Sequence, residues 1–397
     1  MNFELTDEQR MLQDGAARFF ADSYGFERRL ERARHGGGFS RAMWAEFAQM
    51  GWLAAAVPEA HGGLGFGSVE LSLLAEEFGR HLVLEPFTAC GVFPATLIVA
   101  VATEAQQAQW LPKLASGETL VAVAISEPQA RGFLDGIECR ATPLADGRWS
   151  LEGHKSLVIG GSIADRLLVV ARCVDDDAGG DTLAVFALAP NTPGIKINAY
   201  SIMDGSPAAD LHLDGVIVQP DARLGADADG RAVGGGGGAQ AGLQLALDQA
   251  VVMQCAEAVG SAHDVLSLCA DYLKTRKQFG VAIGSFQALQ HRMAEMAIET
   301  SQARASLHRG LQLLTCCDIA ERSYDVSGVK AQVVKSVRYV TQQGIQLHGG
   351  YGITEEYRVG HHWRRMLLVN ALFGSAAHHL TRFVERSALP APTTASS

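Results

Sequence analysis

Helix-patterned sequence at both ends, with strand-patterned sequence between, is the feature that most limits what this chain can fold into. Residues 1–118 read as helices. Thr6 is placed to cap a helix through Phe20, with acidic Asp7 and Glu8 and then Gln9 in its first turn. Leu12, Ala16, Phe19 and Phe20 then fall on one face. Further helical stretches are expected near 40–51, 68–80 and 104–116, and the glycines of Pro58–Gly65 mark a loop. Over residues 119–225 the pattern changes to short runs, 119–126, 149–151, 166–172, 183–188 and 209–213, separated by Gly, Asp, Asn and Pro. That spacing predicts a compact antiparallel β domain. Residues 226–239 contain the run Gly234–Gly238 and read as a flexible linker, because the Lys and Ser/Thr of a phosphate loop are missing. Residues 240–387 return to helix, with Phe286, Leu289, Met293, Met296 and Ala297 at the spacing of a core helix. Residues 388–397 read as a disordered tail. The fold class is therefore α+β, with three blocks in the order α, β, α.

Composition narrows the functions open to such a layout. A chain of 397 residues is too long for one ordinary core. Its net charge of −10, without a dense Lys/Arg run, argues against a nucleic-acid partner. The seven cysteines are odd in number and lack CxxC spacing, so neither a disulfide framework nor a zinc site is expected, and the reading is a reducing, cytoplasmic setting. Cys316 and Cys317 read as small buried residues of an apolar helical stretch. No secretory leader and no membrane span is expected. His361-His362 and His378-His379 are vicinal pairs, whereas helix-borne metal ligands stand three or four residues apart, so no metal is expected.

Several motifs in order resemble one family. Tyr272–Gly280 contains Arg276-Lys-Gln278-Phe279-Gly280, which resembles the R-x-Q-F-G segment of acyl-CoA dehydrogenases, and Phe286–Gln290 follows at the family's interval. Gln346-Leu-His348-Gly349-Gly350-Tyr-Gly352 resembles its Q-x-x-G-G-x-G segment, Ser126-Glu127-Pro128 its T-E-P turn, and Pro58–Gly65 its P-E-x-x-G-G-x-G loop. Within the family the likeness is to the small subunits of the pimeloyl-CoA dehydrogenase type. The resemblance implies an N-terminal all-α domain, a middle β domain and a C-terminal four-helix bundle. It also implies FAD as cofactor, an acyl-CoA as substrate, an electron-transferring flavoprotein as acceptor, and a dimer or tetramer, homo- or heteromeric. Arg276, whose guanidinium can fork two hydrogen bonds to a diphosphate, would bind FAD, together with Gln278, Phe279, Gln346, Gly349, Gly350, Ser126 and Ser375. Gly349 and Gly350, lacking Cβ, would let the backbone approach the ligand. In the family the Arg and Gly-Gly segments reach across a subunit interface into a neighbour's FAD site.

What the resemblance requires for chemistry is missing. The family's base is a Glu before Gly-Ser/Thr, and counting from Gly350 puts that position at Phe373, with no Asp or Glu anywhere from Tyr357 to Val384. The alternative position on an earlier helix is Ala250. Glu257 is a weak substitute, about 10 Å further along at ~1.5 Å rise per residue, and reads better as a helix-end carboxylate in an ion pair. The family's flavin-facing W-x-T run has become Leu157-Val158-Ile159, and Ile donates no side-chain hydrogen bond. Leu380 replaces the family's Arg after the base, and His361 stands at the basic position beyond Gly352. No catalytic residue is assigned. The resemblance thus implies a subunit that completes the FAD site of a catalytic large subunit. The alternatives are a self-sufficient dehydrogenase with an unusual base, a flavin-dependent monooxygenase of the same fold, and an acyl-CoA-binding module without redox chemistry.

Overall fold

The computed structural model describes residues 4–35, 37–130, 134–175, 180–226, 238–316 and 319–387. Most of the expected linker, the expected tail and the side chains of Cys316 and Cys317 lie outside the described residues.

The first block holds α1 (Asp7–Ser23), α2 (Phe26–His35), α3 (Arg41–Gln49), α4 (Ser68–Arg80), α5 (Phe93–Val101) and α6 (Glu104–Ala115). Thr6 and Gln9 form a reciprocal capping box at α1, so the expected start is where the structure puts it. The face read from the sequence turns inward: Ala16 and Phe20 are buried, and Leu12 and Phe19 pack beside them. Phe20 meets Phe78 at 5.0 Å and Trp52 at 5.2 Å, the centre of an aromatic cluster that also takes in Phe47. Two helices escaped the reading. α2 (FERRLERARH) is mostly charged and shows little apolar face, while α5 (FPATLIVAV) is so uniformly apolar that it has no period.

The middle block is a seven-stranded sheet of β1 (Val121–Ala124), β2 (Arg140–Pro143), β3 (Trp149–Ile159), β4 (Arg166–Asp175), β5 (Gly180–Leu188), β6 (Ile195–Ser201) and β7 (Pro207–Val218). The order is β1-β4-β2-β3-β7-β6, with β5 on β4. Four pairings are antiparallel, but β4 runs parallel to both β1 and β2. The sequence did not reveal β2, which is only four residues long, or β6, whose side chains are largely exposed. β3 slips register against β7 between Lys155 and Val158.

The last block contains α7 (Gly238–Thr275), α8 (Gln287–Cys316), α9 (Ile319–His348), α10 (Arg358–Ala371) and α11 (Ala376–Ser387), with a hairpin of β8 (Lys277–Gln278) and β9 (Val281–Ala282) between α7 and α8. α8 is a helix as expected, but its first half is not core. Of the five residues read as a core face only Met296 is buried, while Phe286 and Ala297 are exposed. Helical period reveals an apolar face without saying which molecule covers it. α7 runs against α4 at backbone contact. A Cβ on Gly79 would meet the Glu257 carbonyl oxygen at 1.9 Å, and one on Gly260 would meet that of Glu76 at 1.9 Å. This approach carries Glu257 into the seam where the three blocks meet.

Candidate functional site

Two places collect the residues singled out from sequence. The first is the seam between the blocks. Phe373 and Glu257 line one cavity there, with Ile159, Thr88, Gln254 and Arg365, and its volume is about 40 Å³. That is room for a water or two, whereas pockets for small organic ligands run to roughly 300–1,000 Å³. Phe373 is 7 % exposed and has φ of 55°, a left-handed conformation strained for a bulky residue. Its ring lies edge-on to Phe93 at 5.4 Å. The turn is held from behind. His379 Nε2 donates to the Phe373 carbonyl at 2.9 Å, and Lys330 Nζ donates to Val369 O at 2.7 Å and Leu372 O at 3.4 Å, satisfying the free carbonyls at the end of α10. Burial pulls the Lys330 ammonium down to about 8.

Glu257 is not the helix-end carboxylate the sequence reading expected. It stands in the middle of α7, buried, with Thr88 Oγ1 donating to its Oε1 at 2.5 Å and Arg365 Nη1 to its Oε2 at 3.5 Å. The ion pair of that expectation is present, but its setting is interior. Burial pushes the Glu257 carboxyl up, opposed mainly by Arg365. Ala250 is fully buried and contributes no polar atom. His361 takes a hydrogen bond from Arg29 Nη1 on Nδ1 at 2.9 Å, so the ring is neutral and its Nε2 donates to Glu355 O at 3.0 Å. Burial and the Arg29 charge hold it down at about 4.

On the sheet side, Leu157 adopts φ of 51° and its N–H donates to Asp210 Oδ1 at 3.0 Å. Ile159 lines the cavity, and its side chain carries no hydrogen-bond donor. The Ser126 carbonyl accepts from Ser156 N at 2.9 Å, and the adjacent Glu127 forms a buried ion pair with Lys155 at 2.6 Å, which ties the turn to β3. Ser375, expected to touch cofactor, uses its hydroxyl to accept from His378 N at 3.3 Å and so caps α11. Leu380 lies half exposed on α11.

The second place is the far end of the helical bundle. Arg276 follows α7 directly, and among the described residues its exposed guanidinium has no partner. The β8–β9 hairpin turns through Phe279 and Gly280, both at positive φ (52° and 81°), as a two-residue hairpin turn requires. Phe279 is 91 % exposed there. Gly349, at φ of 60°, opens the 3₁₀ turn after α9, and a Cβ on either Gly349 or Gly350 would meet nothing within 4 Å. Tyr272 joins the two segments, lying 4.4 Å from the His348 ring and 6.4 Å from Tyr351. Arg276, Gln278, Phe279, Gln346, Gly349 and Gly350 are thus gathered on one exposed end, away from the cavity.

Family models for the acyl-CoA dehydrogenase N-terminal, middle and C-terminal domains match residues 6–118, 122–216 and 236–388. The chain belongs to the acyl-CoA dehydrogenase family. It is 31 % identical over 362 residues, 90 % of each chain, to acyl-CoA dehydrogenase FadE12 of Mycobacterium tuberculosis. Among solved structures it is similar to butyryl-CoA dehydrogenase from Megasphaera elsdenii (TM-score 0.85, 26 % identity, 98 % of this chain and 100 % of that one). It is also similar to a chain of the ChsE4–ChsE5 complex from Mycobacterium tuberculosis (TM-score 0.84, 25 % identity, 98 % of this chain and 100 % of that one). Members of the family are FAD-dependent flavoproteins that oxidise the CH–CH bond of acyl-CoA thioesters.

The residues of this family member fit that cofactor unevenly. The exposed bundle end offers an unpaired guanidinium and bare backbone, which suits a diphosphate. Among the described residues, the carboxylates of the Phe373 cavity, Glu85 and Glu257, are both paired, and that cavity is small. Sequence reasoning missed what fills it, namely Arg29, Asp204, Thr88 and Arg365. No short-range signal marks them, because a charge paired inside looks the same in sequence as one on the surface.

Proposed function

We propose that this chain is the non-dehydrogenating subunit of a heteromeric acyl-CoA dehydrogenase, lending Arg276, Gln278, Phe279, Gln346, Gly349 and Gly350 to an FAD site built mainly by a catalytic partner. The observation that carries the reading is Phe373 at the base position, in a cavity of about 40 Å³. A phenyl ring accepts no proton, and without a general base the α-carbon of a thioester keeps its hydrogen. FAD, when bound, supplies the hydride acceptor. Arg276 would hold a phosphate by two charge-assisted hydrogen bonds, and the bare Gly349-Gly350 backbone would let the diphosphate sit close. The ChsE4–ChsE5 neighbour, a complex of two differently named proteins, supports a heteromeric arrangement within this fold. Acyl-CoA would bind in the partner, and electrons would leave to an electron-transferring flavoprotein.

The test is acyl-CoA-dependent dye reduction by the chain alone and after co-purification with a catalytic relative from the same organism. Turnover only in the pair is expected; turnover by the lone chain overturns the proposal. A second reading, a self-sufficient enzyme with Glu257 as base, draws on that residue's place beside Phe373 and its raised proton affinity. Both of its oxygens already have internal partners. Loss of lone-chain turnover in Glu257→Gln would favour this second reading.

A further inference from the structure

Arg365 touches all three blocks at once. Its Nε lies 2.8 Å from Asp204 Oδ2 in the turn between β6 and β7. Its Nη1 donates to Glu257 Oε2 of α7 at 3.5 Å, and its Nη2 donates to the Val83 carbonyl, just after α4. Asp204 is gripped again by Arg29 of α2, whose Nη2 donates to the Asp204 carbonyl at 2.5 Å while Nε donates to Leu82 O at 3.2 Å. The Asp204 carboxylate also accepts from Ser206 N at 2.9 Å and Ser206 Oγ at 3.1 Å. Two arginines and two carboxylates therefore cross the seam, and each carboxylate has a second neutral donor, Ser206 or Thr88. A buried charge left without its partner is strongly destabilising, so any ligand that parts the blocks here must break the set.

We infer that Arg365 is the residue that bars acyl thioesters from this chain's own seam, acting as a lock between the three blocks. The inference rests on the proposed non-dehydrogenating role and deepens it. Phe373 removes the base; Arg365 removes the room. The two act separately, because Phe373 packs on Phe93 whereas Arg365 bridges backbone and carboxylates from separate blocks. Replacing Phe373 alone leaves the bridge, and the cleft stays shut. Replacing Arg365 together with Asp204 removes one charge of each sign, leaves Thr88 as the donor to Glu257, and frees the blocks to separate.

The experiment is calorimetric titration of the folded lone chain with butyryl-CoA, a short saturated thioester. Wild type and Phe373→Ala are expected to show no saturable binding below about 1 mM, and Arg365→Gln/Asp204→Asn to bind at least tenfold more tightly, near one per chain. Saturable wild-type binding, opening by Phe373→Ala alone, or a folded double variant that does not bind overturns the inference. Should the double variant fail to fold, Arg365→Lys decides. Its single ammonium cannot span three partners, so gained binding supports the lock and no gain overturns it. The outcome is separable from the proposed function, because FAD donation to a partner can be counted whether or not the lone chain takes acyl-CoA.

Discussion

The seam and the exposed bundle end, which the family resemblance assigns to this chain's own site and to a neighbour's, differ in how their polar groups are used. In the seam, Glu257, Asp204, Arg29 and Arg365 all have internal partners, and the cavity lined by Phe373 and Glu257 is about 40 Å³. At the bundle end, Arg276 has no partner among the described residues, Phe279 is 91 % exposed at a strained φ, and two glycines face open space. Interior polar groups that are already satisfied gain little from a ligand, while exposed ones can exchange water for it and gain the net difference. The difference teaches that polar groups are left open at the bundle end and paired off in the seam, which is the division the proposed role requires.

The largest effect expected is on stability in the seam. Phe373→Ala empties a buried aromatic site and should cost about 3 kcal/mol or more in urea unfolding, because alanine keeps the Cβ and with it the strain at positive φ. FAD bound in the co-purified pair should not change; loss of flavin there would break the division between the two regions. Next is Arg276→Ala. Losing a charge-assisted phosphate contact should weaken FAD in the pair by about 2 kcal/mol, roughly thirtyfold, with the lone chain's urea midpoint unmoved. An unmoved flavin affinity would remove the bundle end from the account. Gly349→Ala places a Cβ at φ of 60° and should cost about 1 kcal/mol, with a comparable loss of flavin affinity because the backbone can no longer approach as closely.

A smaller effect is expected in acid. His361 has its proton affinity depressed to about 4, so the fold favours its neutral form. Above the ordinary value of about 6.5 both states are neutral and nothing is lost. As pH falls from 6.5 towards 4 the unfolded chain takes up the proton first, and stability drops. Against wild type, His361→Gln should therefore lose less stability across that window, read from urea midpoints at pH 7 and pH 4.5. Equal losses in both proteins would place His361 outside the seam's charge balance. Smallest of all, Glu257→Gln should leave turnover of the co-purified pair unchanged.

The order of blocks was legible because period is a local property: the Thr6 cap, α4 and β4 can each be found in a dozen residues. The bundle end was legible for a similar reason. Arg276 to Gly280 and Gln346 to Gly350 each form one continuous segment that closes in its own turn. The seam was not. Position counting found Phe373, but Arg29, Asp204 and Arg365 come from a charged helix, a hairpin turn and a basic helix, and only folding brings them together. Glu257 was seen and given the wrong setting, because nothing near it in sequence tells that Gly79 and Gly260 let α4 and α7 close over it. The outward face of α8 was misread likewise, since an apolar stripe does not say whether its cover is the same chain or another.

The claim that this chain completes a partner's flavin site without running one of its own is tested most directly by counting FAD per chain. Absorbance of the lone protein and of the co-purified pair, each against total protein, is sufficient. One flavin for two unlike chains, and none retained by the lone chain, is the predicted result. One flavin in every chain, with the lone protein yellow and reduced by acyl-CoA, would contradict the account.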